Sequence, residues 1–177
     1  MSILLIGLGD DETEETIRRL TAQGDEVRVL EHREARVPRW KDLGAHVAIG
    51  APDDADLVYR AASNCRTIVL GEEGLAGLDP VIEGIGRDSG VRLVLCLDSL
   101  DPKTQRVVAR EKLDHLILTT GKPGLLRRGR GGPASVAIAI DAADDVAESP
   151  REVVDLTTQE GWGALKLEPP DQAGAPR

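Results

Sequence analysis

Short apolar runs recur along the chain, spaced so that a helix fits between most of them. They are ILLI at 3–6, EVRVL at 26–30, HVAI at 46–49, TIVL at 67–70, VRLVLCL at 91–97, LIL at 116–118, SVAIAI at 135–140 and VVDL at 153–156. Several are apolar without interruption, the pattern of strands covered on both faces, as in a parallel sheet. The segments between them carry helical spacing. Thr13, Ile17 and Leu20 share one face of a helix expected from Asp11 to Gln23, with Gly24 suited to its C-terminal cap. A short helix is expected from Val37 to Leu43, with Pro38 in its first turn and Gly44 after it. Three more follow: Asp53 to Ala62, a segment carrying Leu78, Val81, Ile82 and Ile85, and Pro102 to Leu113. Strand, helix, strand at this cadence predicts a single α/β domain. It is a doubly wound parallel sheet with helices on both faces and strand order 3-2-1-4-5-6.

Composition narrows what such a sheet can serve. The chain has 177 residues, no Phe and 2% aromatics, so its core must be built from Val, Leu, Ile and Ala. That leaves little to stack on nucleic-acid bases. A net charge of −9 repels a phosphate backbone, so no nucleic-acid partner is expected. The one basic cluster, Arg127, Arg128 and Arg130, is either an anion site or a solvated loop. Cys65 and Cys96 are isolated and lack metal-ligand spacing. Cys96 sits in an apolar run, as a core thiol in a reducing cytoplasm would. The start, MSILLIG, has no basic leader region, and no run approaches the ~18 apolar residues of a membrane span. The expected setting is therefore cytoplasmic and away from membranes. TGKPGLLRRGRGGP at 120–133 has the texture of a mobile loop, and the ending EPPDQAGAPR that of a disordered tail.

The chemistry concentrates in GLGDDETEE at 7–15, between the first apolar run and the first helix. In a dinucleotide-binding turn the first glycine permits the tight turn. The second lets backbone approach the pyrophosphate, and the third lets helix and strand pack closely. Gly7 and Gly9 fill the first two places, but the third is Glu12. Asp10, Asp11, Glu12, Glu14 and Glu15 crowd a helix end that would otherwise offer bare N–H groups to phosphate. As structural residues they favour the helix dipole, and Asp11 with Glu14 has the form of a capping box. As neighbours of a pyrophosphate they oppose it. Two like charges ~4 Å apart repel by about 1 kcal/mol in water and about 4 kcal/mol at an effective dielectric of 20. That corresponds to roughly tenfold to thousandfold in affinity. After the second run, Glu31 is placed to accept ribose hydroxyls, and His32 with Arg33 to meet a 2′-phosphate. A plain surface turn accounts for the same three residues. His46 and His115, each at the start of a strand, fit structural roles.

The order of these segments resembles the atypical short-chain dehydrogenase/reductases, the NmrA-like NAD(P)H-binding Rossmann proteins. ILLIGLGDD…IRRLTAQGDEVRVLEHR is similar to that family's glycine turn, first helix and second strand, and LGAHVAIGAPDDADLV to its third strand and following turn. PVIEGIGRDSGVRLVLCLDSL, KLDHLILTTGKPGLL and DAADDVAESP…EVVDLTT resemble its later elements. The likeness spans 1–158 and implies an NAD(P)-binding domain there, with 159–177 as a flexible tail. It also implies a cofactor set of Gly7, Gly9, Asp10, Glu31, His32, Arg33, Gly50 and Gly71, and a substrate-polarising Ser99. The chain departs from the family at Glu12, at Ala51 where an Asp usually follows the third-strand glycine, and at Thr119-Thr120 in place of Arg-Pro. It also lacks a Tyr-x-x-x-Lys after Ser99. A second, shorter resemblance, to nucleotide-binding domains that regulate potassium transport, rests on G-x-G, Glu31 and Gly50. Three functions are open on this footing. The first is a nucleotide-sensing or pseudo-enzyme module whose NAD or NADP binding is weakened or lost. The second is an NAD(P)H-dependent oxidoreductase acting on a small carbonyl, quinone or flavin. The third is an interaction protein contacting a partner through the 120–134 loop.

Overall fold

Uninterrupted apolar strands must be covered on both faces, and the sheet that forms from them is. The computed structural model describes residues 2–85, 91–98, 102–110, 115–119, 137–142, 152–156 and 165. In chain order the elements are β1 (Ser2–Ile6), α1 (Asp10–Ala22), β2 (Glu26–Glu31), a 3-10 turn (Glu34–Arg36), α2 (Val37–Asp42), β3 (His46–Ile49), α3 (Ala55–Ala62) and β4 (Thr67–Gly71). A second 3-10 segment (Glu72–Gly77) runs into α4 (Leu78–Ile85). Then come β5 (Arg92–Leu97), α5 (Pro102–Arg110) and β6 (His115–Thr119). A helix, α6, covers 137–142, and β7 (Glu152–Asp155) ends the sheet. The strand order is β3-β2-β1-β4-β5-β6-β7, with every pairing parallel. The expected order is thus observed and extended by one strand.

Alternation along the strands sends side chains into two cores. Ile3, Leu5, Val27, Val29, Val69, Val94, Cys96, Leu116 and Leu118 face Ile17 and Leu20 of α1, Trp40 of α2, Ala139 and Ile140 of α6, and Leu165. Leu4, Ile6, Leu30, Ile68, Leu70, Leu93, Leu95, Leu97 and Ile117 face Val58 and Ala61 of α3, Leu78 and Val81 of α4, and Val108 of α5. Arg19 of α1 and its C-cap Gln23 both donate to Asp141, at 2.6 and 3.0 Å, and so fasten α6 beside α1.

Two expectations are corrected. SVAIAI at 135–140 is not a strand, because 137–142 is helical. Ala has the highest helix propensity, and a short fully buried apolar run looks the same in either state. The capping box is also absent. α1 begins at Asp10 with Gly9 as its N-cap, and no side chain caps it. Glu14 turns outward instead, accepting from Arg18 at 2.5 Å and from Arg39 Nε at 2.7 Å. The Arg39 hydrogen bond, helped by the charges of Arg18 and Arg39, holds the Glu14 carboxyl below its ordinary pKa.

Leu95 is fully buried in the central part of the sheet. Leu95→Ala is expected to cost about 2–5 kcal/mol in urea unfolding. Tyr59→Ala, at a site 61% exposed, should stay within about 0.5 kcal/mol.

Candidate functional site

The strand order reverses between β1 and β4, so the helices that follow those two strands lie on opposite faces of the sheet beyond its carboxyl edge. A crevice at such a reversal is where open α/β sheets hold ligands. Its floor is three interlocked glycines. Gly7 has φ +64°, a left-handed conformation that favours glycine. A Cβ at Gly7 would collide with the backbone of Gly74, one at Gly71 with the carbonyl of Gly7, and one at Gly74 with the carbonyl of Ile6. The Glu73 N–H donates to the Gly7 carbonyl at 3.1 Å, joining the two turns.

Gly9 holds the second place of the glycine turn, and the space beside it is filled from within. Glu12 is buried, and its carboxylate lies against the side of Gly9 from which a Cβ would project. Below it is Cys96, whose thiol pKa is pushed up by burial and further by the Glu12 charge. Thr13 Oγ1 donates to the Gly9 carbonyl at 2.8 Å.

The end of β2 supplies the other wall. Glu31 is 6% exposed. One of its oxygens accepts from the Arg33 backbone N–H at 2.9 Å, the other from Trp40 Nε1 at 3.2 Å. Burial pushes its carboxyl pKa up, but these two hydrogen bonds and the Arg36 and Arg33 charges prevail and hold it below its ordinary value. Arg36 sits among three carboxylates: Asp10 at 2.5 Å, Glu31 at 3.7 Å and Glu73 at 3.8 Å. Arg33 reaches Glu31 at 3.6 Å and also pairs with Glu73. The Arg33–Glu73 and Arg36–Glu73 pairs therefore span from the β2 turn to the β4 turn.

The structure thus gathers Gly7, Gly9, Asp10, Glu31, His32, Arg33 and Gly71 at one edge. Gly50 joins them one strand over, its N–H donating to the Glu31 carbonyl at 3.0 Å. His32 is half-exposed, with Nδ1 3.6 Å from Glu31. Ser99 and the 120–134 loop lie outside the described residues. Arg36, Trp40, Glu73 and Gly74 escaped the sequence reading. Gly74 stands in EEGLAG directly after a strand run, a turn signal that could have marked it. Glu73 and Arg36 carry no local signal, because their partners lie far along the chain. Among the described residues no cluster of His, Cys, Asp or Glu is arranged to hold a metal ion, and no helix is long and apolar enough to cross a membrane.

Sheet order, glycine interlock and crevice together define a Rossmann-type α/β domain. No family model and no curated protein matches the sequence. Solved structures do match in fold. ChuY, an anaerobillin reductase from Escherichia coli O157:H7, superposes with a TM-score of 0.65 at 19% identity, over 88% of this chain and 96% of that one. A putative NAD-dependent epimerase/dehydratase from Bacillus halodurans gives 0.65 at 14% identity, over 86% and 92%. The Citrobacter sp. triphenylmethane reductase complexed with NADP(H) gives 0.66 at 12% identity, over 87% and 69%. At these identities the likeness establishes the shared fold.

Glu31 is a buried carboxylate with a lowered pKa, so its contribution is complete above its ordinary value of 4.5 and is lost as pH falls through its folded-state value. Glu31→Gln is expected to cost about 1–3 kcal/mol at neutral pH. The gap between wild type and variant in urea unfolding should close as pH drops below 4.5. A gap unchanged by pH would remove the carboxylate charge from the account.

Proposed function

We propose that this domain is a nucleotide-sensing or pseudo-enzyme regulatory module with weakened dinucleotide binding. The observation that carries this reading is Glu12: its carboxylate occupies the side of Gly9 that a pyrophosphate would approach. A phosphate brought there meets a fixed negative charge on the helix end that would otherwise attract it. Asp10 adds a second carboxylate at the same turn, held by Arg36. Glu31 has both carboxylate oxygens engaged within the protein, and Glu73 takes the two guanidiniums that would meet a 2′-phosphate. Four carboxylates, Glu12, Asp10, Glu31 and Glu73, against two guanidiniums make the crevice negative on this reading. On this reading the residues do not fit a tightly held dinucleotide. The signal passes to a protein partner, for which we retain the 120–134 segment as the proposed contact.

A second reading is an NAD(P)H-dependent oxidoreductase. It draws on the near full-length likeness in fold to ChuY, described as a reductase. On that reading Glu73 releases Arg33 and Arg36 when NADP arrives.

Calorimetric titration with NADPH, NADH and ADP-ribose separates the two. The wild type is expected to bind none of them below millimolar concentration. Glu12→Gly should strengthen NADPH binding by about tenfold to a thousandfold. Micromolar NADPH binding by the wild type, unchanged in Glu12→Gly and accompanied by turnover with quinone or flavin acceptors, would overturn the first reading in favour of the second.

A further inference from the structure

Away from the crevice, the β3 edge of the sheet carries a groove of about 650 Å³ lined by both faces of the strand and by the helices on either side. Its apolar lining is Ala45, Val47, Ala48, Leu57 and Ala61, and its polar lining is Arg28, Lys41, His46 and Arg60. Every ionisable side chain along it is basic, in a chain whose net charge is −9. Arg28 is neutralised, paired with Glu26 at 2.8 Å and donating to the carbonyls of Ala61 and Ser63. Arg60 donates through Nε to the Asp56 backbone carbonyl at 3.3 Å, which leaves its charge uncompensated by that contact. Lys41, His46 and Arg60 are all exposed. Lys41 rises from α2 on one face of the sheet and Arg60 from α3 on the other, so the cations flank the strand from both sides.

Among the described residues β3 pairs only with β2, so its outer backbone N–H and C=O groups have no partner strand there. Ile49, on the same strand, is 51% exposed. Open edges are hazards that proteins commonly blunt with short strands and lysines, and this strand has four residues. That guard is selective by sign. Edge-to-edge pairing of two copies would bring their Lys41 and Arg60 side chains together, a like-charge arrangement that destabilises pairing. An acidic strand meets the opposite field. The main chain of an added strand would complete the β3 ladder, carboxylates on its two faces would reach Lys41 and Arg60, and apolar side chains would cover Val47 on one face and Ala48 with Leu57 on the other.

We propose that the β3 edge is a docking site for an acidic, extended peptide segment of a partner protein, bound by strand addition. It does not depend on the reading of the crevice. The charge of the groove selects the partner, and the edge backbone holds it.

The test is affinity selection of a random peptide library on the immobilised full-length chain, run in parallel on the double variant K41E/R60E. Neither residue belongs to the crevice and both are exposed; because each closes the last turn of its helix, the variant is expected to stay folded with a melting temperature lowered by a few degrees, and K41Q/R60Q is run beside it. The expected result is enrichment of extended peptides that carry Asp or Glu together with apolar residues on both strand faces. Their affinity should fall as salt rises and drop by at least about tenfold in the variant. An enriched peptide added to 15N-labelled protein should slow hydrogen exchange at backbone amides of residues 46–49. Three results would overturn the proposal: no enrichment; enriched peptides that are not acidic or that bind K41E/R60E equally well; or acidic peptides that leave the β3 amides unprotected and are displaced by free glutamate or phosphate. The last would make the groove a small-anion site.

Discussion

The carboxyl edge of this domain depends on one backbone contact, the approach of the turn after β1 to the turn after β4. Gly7, Gly71 and Gly74 meet with no room for a methyl group between any of them and its neighbour. The contact brings the 3-10 segment after β4 over the end of β1. Only because of it does Glu73 come within reach of Arg33 and Arg36, which arrive from β2 on the opposite side. A larger residue at any of the three positions would separate the turns and with them the charged bridge above.

That bridge explains how so acidic a segment is tolerated. Asp10, Glu31 and Glu73 are tied by two guanidiniums, and Glu14 by two more, Arg18 and Arg39. Each acid of the pairing set is thereby held in the protein's own network. Asp10, Glu31, Arg33, Arg36 and Glu73 thus satisfy one another's charges at the carboxyl edge. Burial makes this selective. Glu31 is enclosed with a hydrogen-bond donor on each oxygen, whereas the exposed Arg18–Glu14 pair adds little, as surface ion pairs generally do.

Much of the architecture was legible because the cause was local. Uninterrupted runs such as TIVL and VRLVLCL can only be strands or buried helices, and the glycines and helical spacing between them settle most cases in favour of strands. The run at 135–140 went the other way, since Ala137 and Ala139 suit a helix packed closely on a sheet. The first glycine turn was legible for the same reason, as was the presence of Glu12 at its third place. What the sequence could not disclose is where that carboxylate goes. It folds back on Gly9. From the sequence, Glu31 is as consistent with a surface turn as with a ribose site. Trp40, nine positions later, covers it only once the 3-10 turn has swung α2 back over β2. Arg36 and Glu73 are ordinary surface charges until the sheet order places their loops together.

Trp40 gives the crevice a property of its own. The chain has two tryptophans, Trp40 and Trp162. The indole of Trp40 is 1% exposed, hydrogen-bonded to the Glu31 carboxylate, and covered by the Arg39 guanidinium 5.0 Å from the ring centroid. An indole held between a fixed anion and a fixed cation has its excited-state dipole set by both, so its emission colour is tuned by the crevice rather than by bulk water. In a chain with Trp162 replaced, ultraviolet fluorescence becomes a built-in optical gauge of this edge. Its signal shifts whenever Glu31 gains a proton or Arg39 swings away, without any label attached.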